Sequence, residues 1–234
     1  MKKKSTSLPT GPSASALEIG AVWAKEARSE LRTRHALNAM LLFAVTSVVV
    51  VGFSTARAAP DGFTVAALFW IVLFFSAMSS LAHVFVKEED TQTGLALRLA
   101  ARPSAVYFGK LLFNAVLLSA LAALVTPLFI GLVNMKIYQW NLFWLTLALG
   151  VAGLAGATTI VAAIVARASI RGALFAVLCF PILLPLLLAA VGATQAAMDP
   201  AAAANATDEL RLLLAYLVAM TTGSWLLFDF VWWA

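Results

Sequence analysis

The sequence has little charge and almost no cysteine. Only 12% of its 234 residues are Asp, Glu, Lys or Arg, whereas 62% are hydrophobic. A soluble domain usually has about a quarter of its residues charged and about half apolar. Because so few polar side chains could not cover a water-soluble core, we interpret the chain as an integral membrane protein. The single cysteine, Cys179, excludes an intrachain disulfide and disfavours a cysteine metal cluster.

Signals of catalysis and of nucleic-acid binding are also missing. The chain has no Walker motif, no nucleophile elbow and no paired carboxylates that would face a cavity. Its formal net charge of +5 comes from a few polar loops rather than from one basic face. That distribution is typical of contact with anionic lipid headgroups. We therefore predict a protein that is not an enzyme and does not bind nucleic acid.

Residues 1–16 form a basic, polar segment. Lys2, Lys3 and Lys4 resemble the start of a signal peptide, but a polar, proline-containing stretch follows instead of an apolar one. The sequence therefore predicts a disordered tail rather than a cleaved signal.

Residues 17–35 have the periodicity of an amphipathic helix. Ile19, Trp23, Ala27 and Leu31 recur every four residues, and polar side chains fall on the other side. We predict a helix in the membrane interface with Trp23 at headgroup level; the alternative is an ordinary solvated helix. Its candidate functional residues are Trp23, Glu26, Glu30, Arg32 and Arg34, of which Glu30 and Arg34 have the spacing of an ion pair.

Residues 36–234 are predicted to form one domain of six transmembrane helices. Most of the apolar runs exceed the ~20 residues that cross a bilayer. Each must be helical, because lipid offers no hydrogen-bond partner to the backbone. The fold class is thus an all-α membrane protein with spans near residues 37–53, 63–86, 106–133, 142–165, 172–191 and 210–233.

The basic residues indicate how the chain is oriented. Thirteen of the 16 Lys and Arg residues fall before the first span, in the loop between the second and third spans and its edges, or between the fourth and fifth. The positive-inside rule then places both termini and the long loop after the second span in the cytoplasm. The opposite side has short loops and an Ala-rich segment, residues 192–209, which is either a small surface helix or a flexible connection.

The long polar interval between the second and third spans is more elaborate than a turn requires. It begins with acidic residues and continues with leucines among arginines. This pattern predicts a short amphipathic element at the membrane surface, accessible to a partner. Its candidate interaction residues are Glu88, Glu89, Asp90, Gly94, Leu95, Leu97, Arg98, Arg102 and Pro103.

Small residues and prolines mark the fourth and fifth spans. Gly150, Gly153 and Gly156 repeat every third residue and predict a face on which another helix packs closely. Pro181 and Pro185 each remove a backbone donor, so the fifth span is expected to bend.

A few polar side chains lie in or near the spans. His35 and His83 could ligate heme iron or relay a proton, but polar interfacial roles are the preferred interpretation. Asn114 is predicted to form an interhelical hydrogen bond. Asp229 is predicted to reach the cytoplasmic interface.

The order of several short motifs resembles that of a known family. The stretches are ELRTR at 30–34, EDTQTGL at 89–95, RPS at 102–104 followed by Lys110, the Gly-rich fourth span, ARASIRG at 166–172 and FPILLPL at 180–186. In this arrangement the chain resembles the ABC-2 type permeases and, more narrowly, the CcmB family, the heme exporter protein B of cytochrome c maturation.

This resemblance implies a permease subunit without its own motor, in the bacterial inner membrane. ATP would be bound by a CcmA-like cytosolic ATPase, and the other partners would be CcmC-like and CcmD-like membrane subunits and a CcmE-like periplasmic heme chaperone. Heme would be a cargo, and this chain would hold neither a cofactor nor a metal. Residues 88–103 would then dock on the ATPase. The alternatives are a permease for a lipid, polysaccharide or drug, and a purely structural membrane subunit.

Overall fold

Seven helices make up the part of the chain that the computed structural model describes, namely residues 12–57, 60–81, 101–166, 171–200 and 206–233. In chain order they are α1 Pro12–Thr33, α2 His35–Thr55, α3 Gly62–Leu81, α4 Pro103–Leu132, α5 Trp140–Val165, α6 Arg171–Met198 and α7 Ala206–Trp233.

The helices α2 to α7 are each long and apolar enough to cross a membrane. No strand occurs within the described ranges. The predicted all-α class with six spans is thereby confirmed. Helix α1 differs from the other six, because its mean hydropathy excludes it from the candidate spans.

Two boundaries differ from the sequence prediction. Helix α1 begins at Pro12, five residues before the predicted start, because proline is well suited to the first turn of a helix. Most of the Ala-rich segment 192–209 extends the flanking spans, since α6 continues to Met198 and α7 begins at Ala206. Alanine is the strongest helix former, so the described residues 192–198 and 206–209 prolong the helices, while residues 201–205 lie outside the described ranges.

Helix α5 lies at the centre of the bundle. In its most apolar window 78% of the residues are buried, against 22% in α2 and 11% in α7. Its small residues allow neighbouring helices to surround it on most sides. Helices α2 and α7 are peripheral and expose apolar side chains along their lengths.

An aromatic cluster fills the space between α3, α4 and α5. The Phe69 ring meets the rings of Phe129 and Trp70 edge to face, with centroids 5.3 and 5.8 Å apart. Phe143 of α5 lies 6.0 Å from Phe69. Such edge-to-face pairs add about 1 kcal/mol each to the burial of the rings.

Buried polar side chains are paired between helices. The Asn114 amide of α4 donates to the Thr159 hydroxyl of α5 at 2.8 Å, which confirms the predicted interhelical bond. The Trp70 indole of α3 donates to the Thr194 hydroxyl of α6 at 2.8 Å. Since lipid supplies no competing partner, these bonds fix the rotation of the helices about their axes.

The loops at the end of the bundle away from α1 are held by hydrogen bonds. The backbone N–H groups of Tyr138 and Gln139 both donate to the Ala197 carbonyl at 3.0 Å. At the start of α3, the Asp61 carboxylate accepts from the hydroxyl and the N–H of Thr64. This side-chain hydrogen bond lowers the pKa of Asp61, which acts as an N-cap.

Candidate functional site at the junction of α1 and α4

Helix α1 packs directly on the first turns of α4. The closest approach is at Gly109, where a Cβ atom would lie 2.7 Å from the Val22 side chain and 3.1 Å from the Ile19 carbonyl oxygen. Val22 is buried in this contact. Only glycine allows the two helices to come so close.

One turn further along α1, a buried ion pair joins the same two helices. The Glu26 carboxylate lies 3.0 Å from Lys110 Nζ and 3.3 Å from Lys25 Nζ. The Lys110 side chain is completely buried, while that of Glu26 is 10% exposed. We call Val22, Glu26, Gly109 and Lys110 the α1–α4 junction.

The charge state of Glu26 follows from two opposing effects. Burial disfavours the carboxylate, but the ammonium groups of Lys110 and Lys25 favour it and also donate hydrogen bonds. The balance leaves the pKa of Glu26 below its ordinary value. The junction therefore contains an ionised carboxylate at neutral pH.

A sharp turn follows α1 and leads directly into the first span. Arg34 adopts the left-handed conformation with φ 53°, which is uncommon for a residue with a side chain. The Glu30 carboxylate accepts a hydrogen bond from the N–H of Leu37 at 3.0 Å and so caps α2. Both ends of this turn are thus fixed, and α1 is held at a defined angle to α2.

Glu30 and Arg34, both within the described residues, do not form the predicted ion pair with each other. Glu30 binds the backbone of α2, and Arg34 Nε donates to the Leu31 carbonyl at 3.3 Å. The reason is that the left-handed conformation takes Arg34 out of the helix, so the i, i+4 geometry is lost.

The side of α1 that packs on α4 differs from the apolar side of the sequence pattern. Val22 and Glu26 are its most buried described residues, whereas Leu31 is 63% exposed. Trp23 is half-buried, and its indole N–H is covered without an acceptor among the described residues. Arg32 is exposed. Within the face that contains Trp23 and Leu31, the Leu31 end is therefore left uncovered, whereas Trp23 is partly covered.

Most of the predicted interaction loop lies outside the described residues: Glu88, Glu89, Asp90, Gly94, Leu95, Leu97 and Arg98. The structure does describe its end. Arg102 has an extended backbone before α4, and Pro103 is the first residue of the helix. His83 is outside the described ranges, and only the backbone of His35 is described.

The three predicted packing glycines are buried in α5, whereas Pro181 and Pro185 are exposed on α6. A Cβ atom at Gly150 would fall 2.1 Å from the Trp70 ring, and one at Gly153 would fall 2.6 Å from the Leu186 side chain. Gly156 has open space beside it. Pro181 and Pro185 both lie inside α6, and the Tyr216 hydroxyl of α7 donates to the Ile182 carbonyl between them at 3.0 Å.

Sequence reasoning missed Lys110, Gly109 and Val22 as parts of one site. In the sequence Lys110 stands at the edge of a polar loop, yet it lies seven residues inside α4 and is fully buried. A signal did exist, because a lysine within an apolar run needs a partner. The identity of that partner, 84 positions away in the sequence, could not be inferred.

The arrangement offers a mechanical connection rather than a constellation of reacting groups. Within the described ranges no three His, Cys, Asp or Glu side chains come close enough to hold a metal ion. What the junction joins is a helix before the first span to the beginning of the third span, at the point where the long polar loop ends.

Comparison with known proteins gives the same assignment as the resemblance in the motifs. The family model described as CcmB protein matches residues 18–233, which include α1 from Glu18 onward and nearly all of α7. The match thus extends beyond the stretch between residues 30 and 186 that carries the short motifs. No curated protein matches the chain. With six spans and this nearly full-length match, the chain is a multi-pass membrane protein that belongs to the CcmB family, the permease family of heme export in cytochrome c biogenesis.

Proposed function

We propose that this chain is the permease subunit that couples ATP hydrolysis by a separate cytosolic ATPase to heme export, or to release of the heme-loaded chaperone, during cytochrome c maturation. Its partners are a CcmA-like ATPase, CcmC-like and CcmD-like membrane subunits and a CcmE-like chaperone. Both termini lie in the cytoplasm and the protein resides in the bacterial inner membrane. Family membership supports the cargo, and the buried Glu26–Lys110 pair supports the coupling.

The coupling argument rests on where the junction lies along α4. The proposed docking element, residues 88–103, ends where α4 begins at Pro103. Lys110 follows seven residues later, about 10 Å along the helix axis. Because a helix moves as a rigid rod over this distance, a displacement of the docking element moves Lys110 with it. Glu26 then transmits the displacement to α1.

The second link leads from α1 into the first span. The Glu30 carboxylate binds the N–H of Leu37 at the start of α2, only one turn after Glu26 in α1. Movement of α1 therefore changes the angle at which the first span leaves the surface. The ATPase acts in this way on the first and third spans together.

Charge reversal of the docking element tests the proposal. The variant E88K/E89K/D90K should no longer co-purify with the ATPase, and hydrolysis stimulated by the membrane subunits should fall to the level of the isolated ATPase. The control variant D208K reverses an exposed carboxylate at the other end of the bundle. It should leave both measurements unchanged. Intact ATPase binding in the triple variant would show that the docking assignment is wrong.

Affinity purification from the native membrane distinguishes the proposed function from its alternatives. Recovery of an ATPase together with the cytochrome c maturation subunits supports it. Recovery of an ATPase without them indicates a permease for another cargo. Recovery of the membrane subunits without any ATPase indicates a structural subunit.

A further inference from the structure

A groove between α6 and α7 is not used by the junction described above. It has a volume of about 600 Å³ and is lined by Pro185, Leu188, Ala189, Glu209, Leu212, Ala215, Tyr216 and Ala219. Except for Glu209 and Tyr216, these side chains are apolar. The Tyr216 hydroxyl already has a hydrogen-bond partner, since it donates to the Ile182 carbonyl. The groove is thus an apolar channel with one carboxylate.

The carboxylate lies at the mouth of the groove. Glu209 is in the first turn of α7, at the end of the bundle away from α1. Its side chain reaches across to α6, because a Cβ atom on Gly192 would lie 2.7 Å from Glu209 Oε1. The glycine therefore makes room for the carboxylate against the α6 backbone.

The depth of the groove matches one leaflet of a bilayer. From Glu209 to Ala219 the α7 axis rises roughly 15 Å. This is about half of the ~30 Å thickness of the hydrocarbon core. An acyl chain that begins at the membrane surface would fill such a groove to its floor.

We propose that this groove binds a phospholipid whose headgroup carries a primary ammonium, of the phosphatidylethanolamine type. The ammonium pairs with the Glu209 carboxylate at the mouth, and one acyl chain lies between α6 and α7 against Leu188, Leu212 and the Tyr216 ring. A carboxylate at this position repels an anionic headgroup, so phosphatidylglycerol is the poorer ligand. The lipid site does not depend on which cargo the protein transports.

Quantification of bound lipid tests the proposal with a matched pair of variants. The full chain is reconstituted in vesicles of equal phosphatidylethanolamine and phosphatidylglycerol, extracted in mild detergent, and its retained lipids are measured by mass spectrometry. Phosphatidylethanolamine should be enriched over its share of the vesicle. The variant E209Q should lower this enrichment by about threefold, the scale of an ion pair that is partly exposed.

The variant D208N is the control. Asp208 is the neighbouring carboxylate, does not line the groove and pairs instead with Arg211 on the exposed surface. Its headgroup enrichment should equal that of the unmodified protein. Equal enrichment in E209Q and D208N would overturn the proposal.

Two further variants separate the headgroup from the acyl chain. In G192A the added methyl displaces the carboxylate, so the headgroup preference should fall while the amount of lipid stays the same. In A219F the ring fills the floor of the groove, so the amount of lipid should fall; the side chain at this position is exposed outside the core, so folding is retained. If A219F kept its lipid but lost a co-purifying membrane subunit, the groove would be the seat of a partner helix and the lipid assignment would be wrong.

Discussion

At the scale of single residues, the two members of the Glu26–Lys110 pair are buried and depend on each other for charge compensation. Lys110 is fully buried, so its ammonium has lost the whole of its hydration, and Glu26 supplies part of the compensation. Removing one member of a buried pair leaves an uncompensated charge and costs about 3–5 kcal/mol, whereas removing both is often nearly neutral. The pair therefore favours one particular arrangement of α1 and α4 more than it favours folding in general.

A double-mutant cycle measures this coupling. The variant K110M should lower the free energy of unfolding in detergent by about 3 kcal/mol, because Glu26 then stays buried with only Lys25 beside it. The variant E26Q/K110M should recover most of that loss. If the losses in the single variants E26Q and K110M simply added in the double variant, the two side chains would not be coupled.

The pH dependence of the junction follows from the lowered pKa of Glu26. A carboxyl group whose folded-state pKa is depressed contributes stability above its unfolded pKa of about 4.3 and loses it as the pH falls through the folded-state pKa. The contact between α1 and α4 should therefore be constant from pH 7 to about pH 5 and weaken only at lower pH. A fluorescence resonance energy transfer pair, with one dye on α1 and the other on the side of the bundle formed by α5 and α6, would follow the distance between α1 and the bundle. In E26Q no such acid transition should occur, and a transition at the same pH in E26Q would assign it to another group.

At the scale of elements, the glycines of α5 differ in the space that surrounds them. Gly150 faces the Trp70 ring at a distance that leaves no space for a methyl group, and that ring also donates to Thr194 of α6. Gly156 faces open space, although it belongs to the same repeat. A small-residue repeat in the sequence therefore contains one position that is essential for packing and one that is not.

Alanine substitution separates these two positions. The variant G150A should destabilise the bundle by about 1–3 kcal/mol, because the Trp70 ring must move and the bond to Thr194 is strained. The variant G156A should be neutral or slightly stabilising, since alanine restricts the unfolded chain more than glycine does. Thermal unfolding in detergent of the two variants provides the comparison, and equal losses in both would contradict the assignment of Gly150 to the Trp70 contact.

The six spans could be predicted from the sequence because the apolar content of a segment is a local property. The contact face of α1 could not, since Glu26 is placed there by Lys110, which is distant in sequence. The helical ends of the Ala-rich segment could not be predicted for a similar reason: alanine fits both a loop composition and a helix, and only the packing of α6 and α7 decides between them. The Asn114 bond was predictable, because a lone amide in an apolar helix needs a partner on another helix.

At the scale of the whole molecule, an even number of spans places α1 and the end of α7 on the same side of the membrane. The Phe228 ring near the end of α7 lies 5.2 Å from the Tyr107 ring in the second turn of α4, so the two ends are level with each other. Thirteen of the 16 basic residues are predicted from the sequence to belong to this side. Lys110 is one of them but is buried against Glu26, and the bias remains without it.

Cysteine labelling tests this orientation in intact cells. In a C179A background, which removes the one native thiol, R28C and R32C lie on α1, whereas R57C and K136C lie in the loops at the opposite end. All four positions are exposed, and each substitution removes one positive charge, so the four variants are matched. A membrane-impermeant maleimide should label R57C and K136C from the periplasm, and label R28C and R32C only after the membrane is opened. If R57C or K136C were labelled from the same side as R28C and R32C, a span between the two positions would not cross the membrane. If only R28C and R32C were labelled in intact cells, the orientation would be the reverse of the one that the basic residues predict.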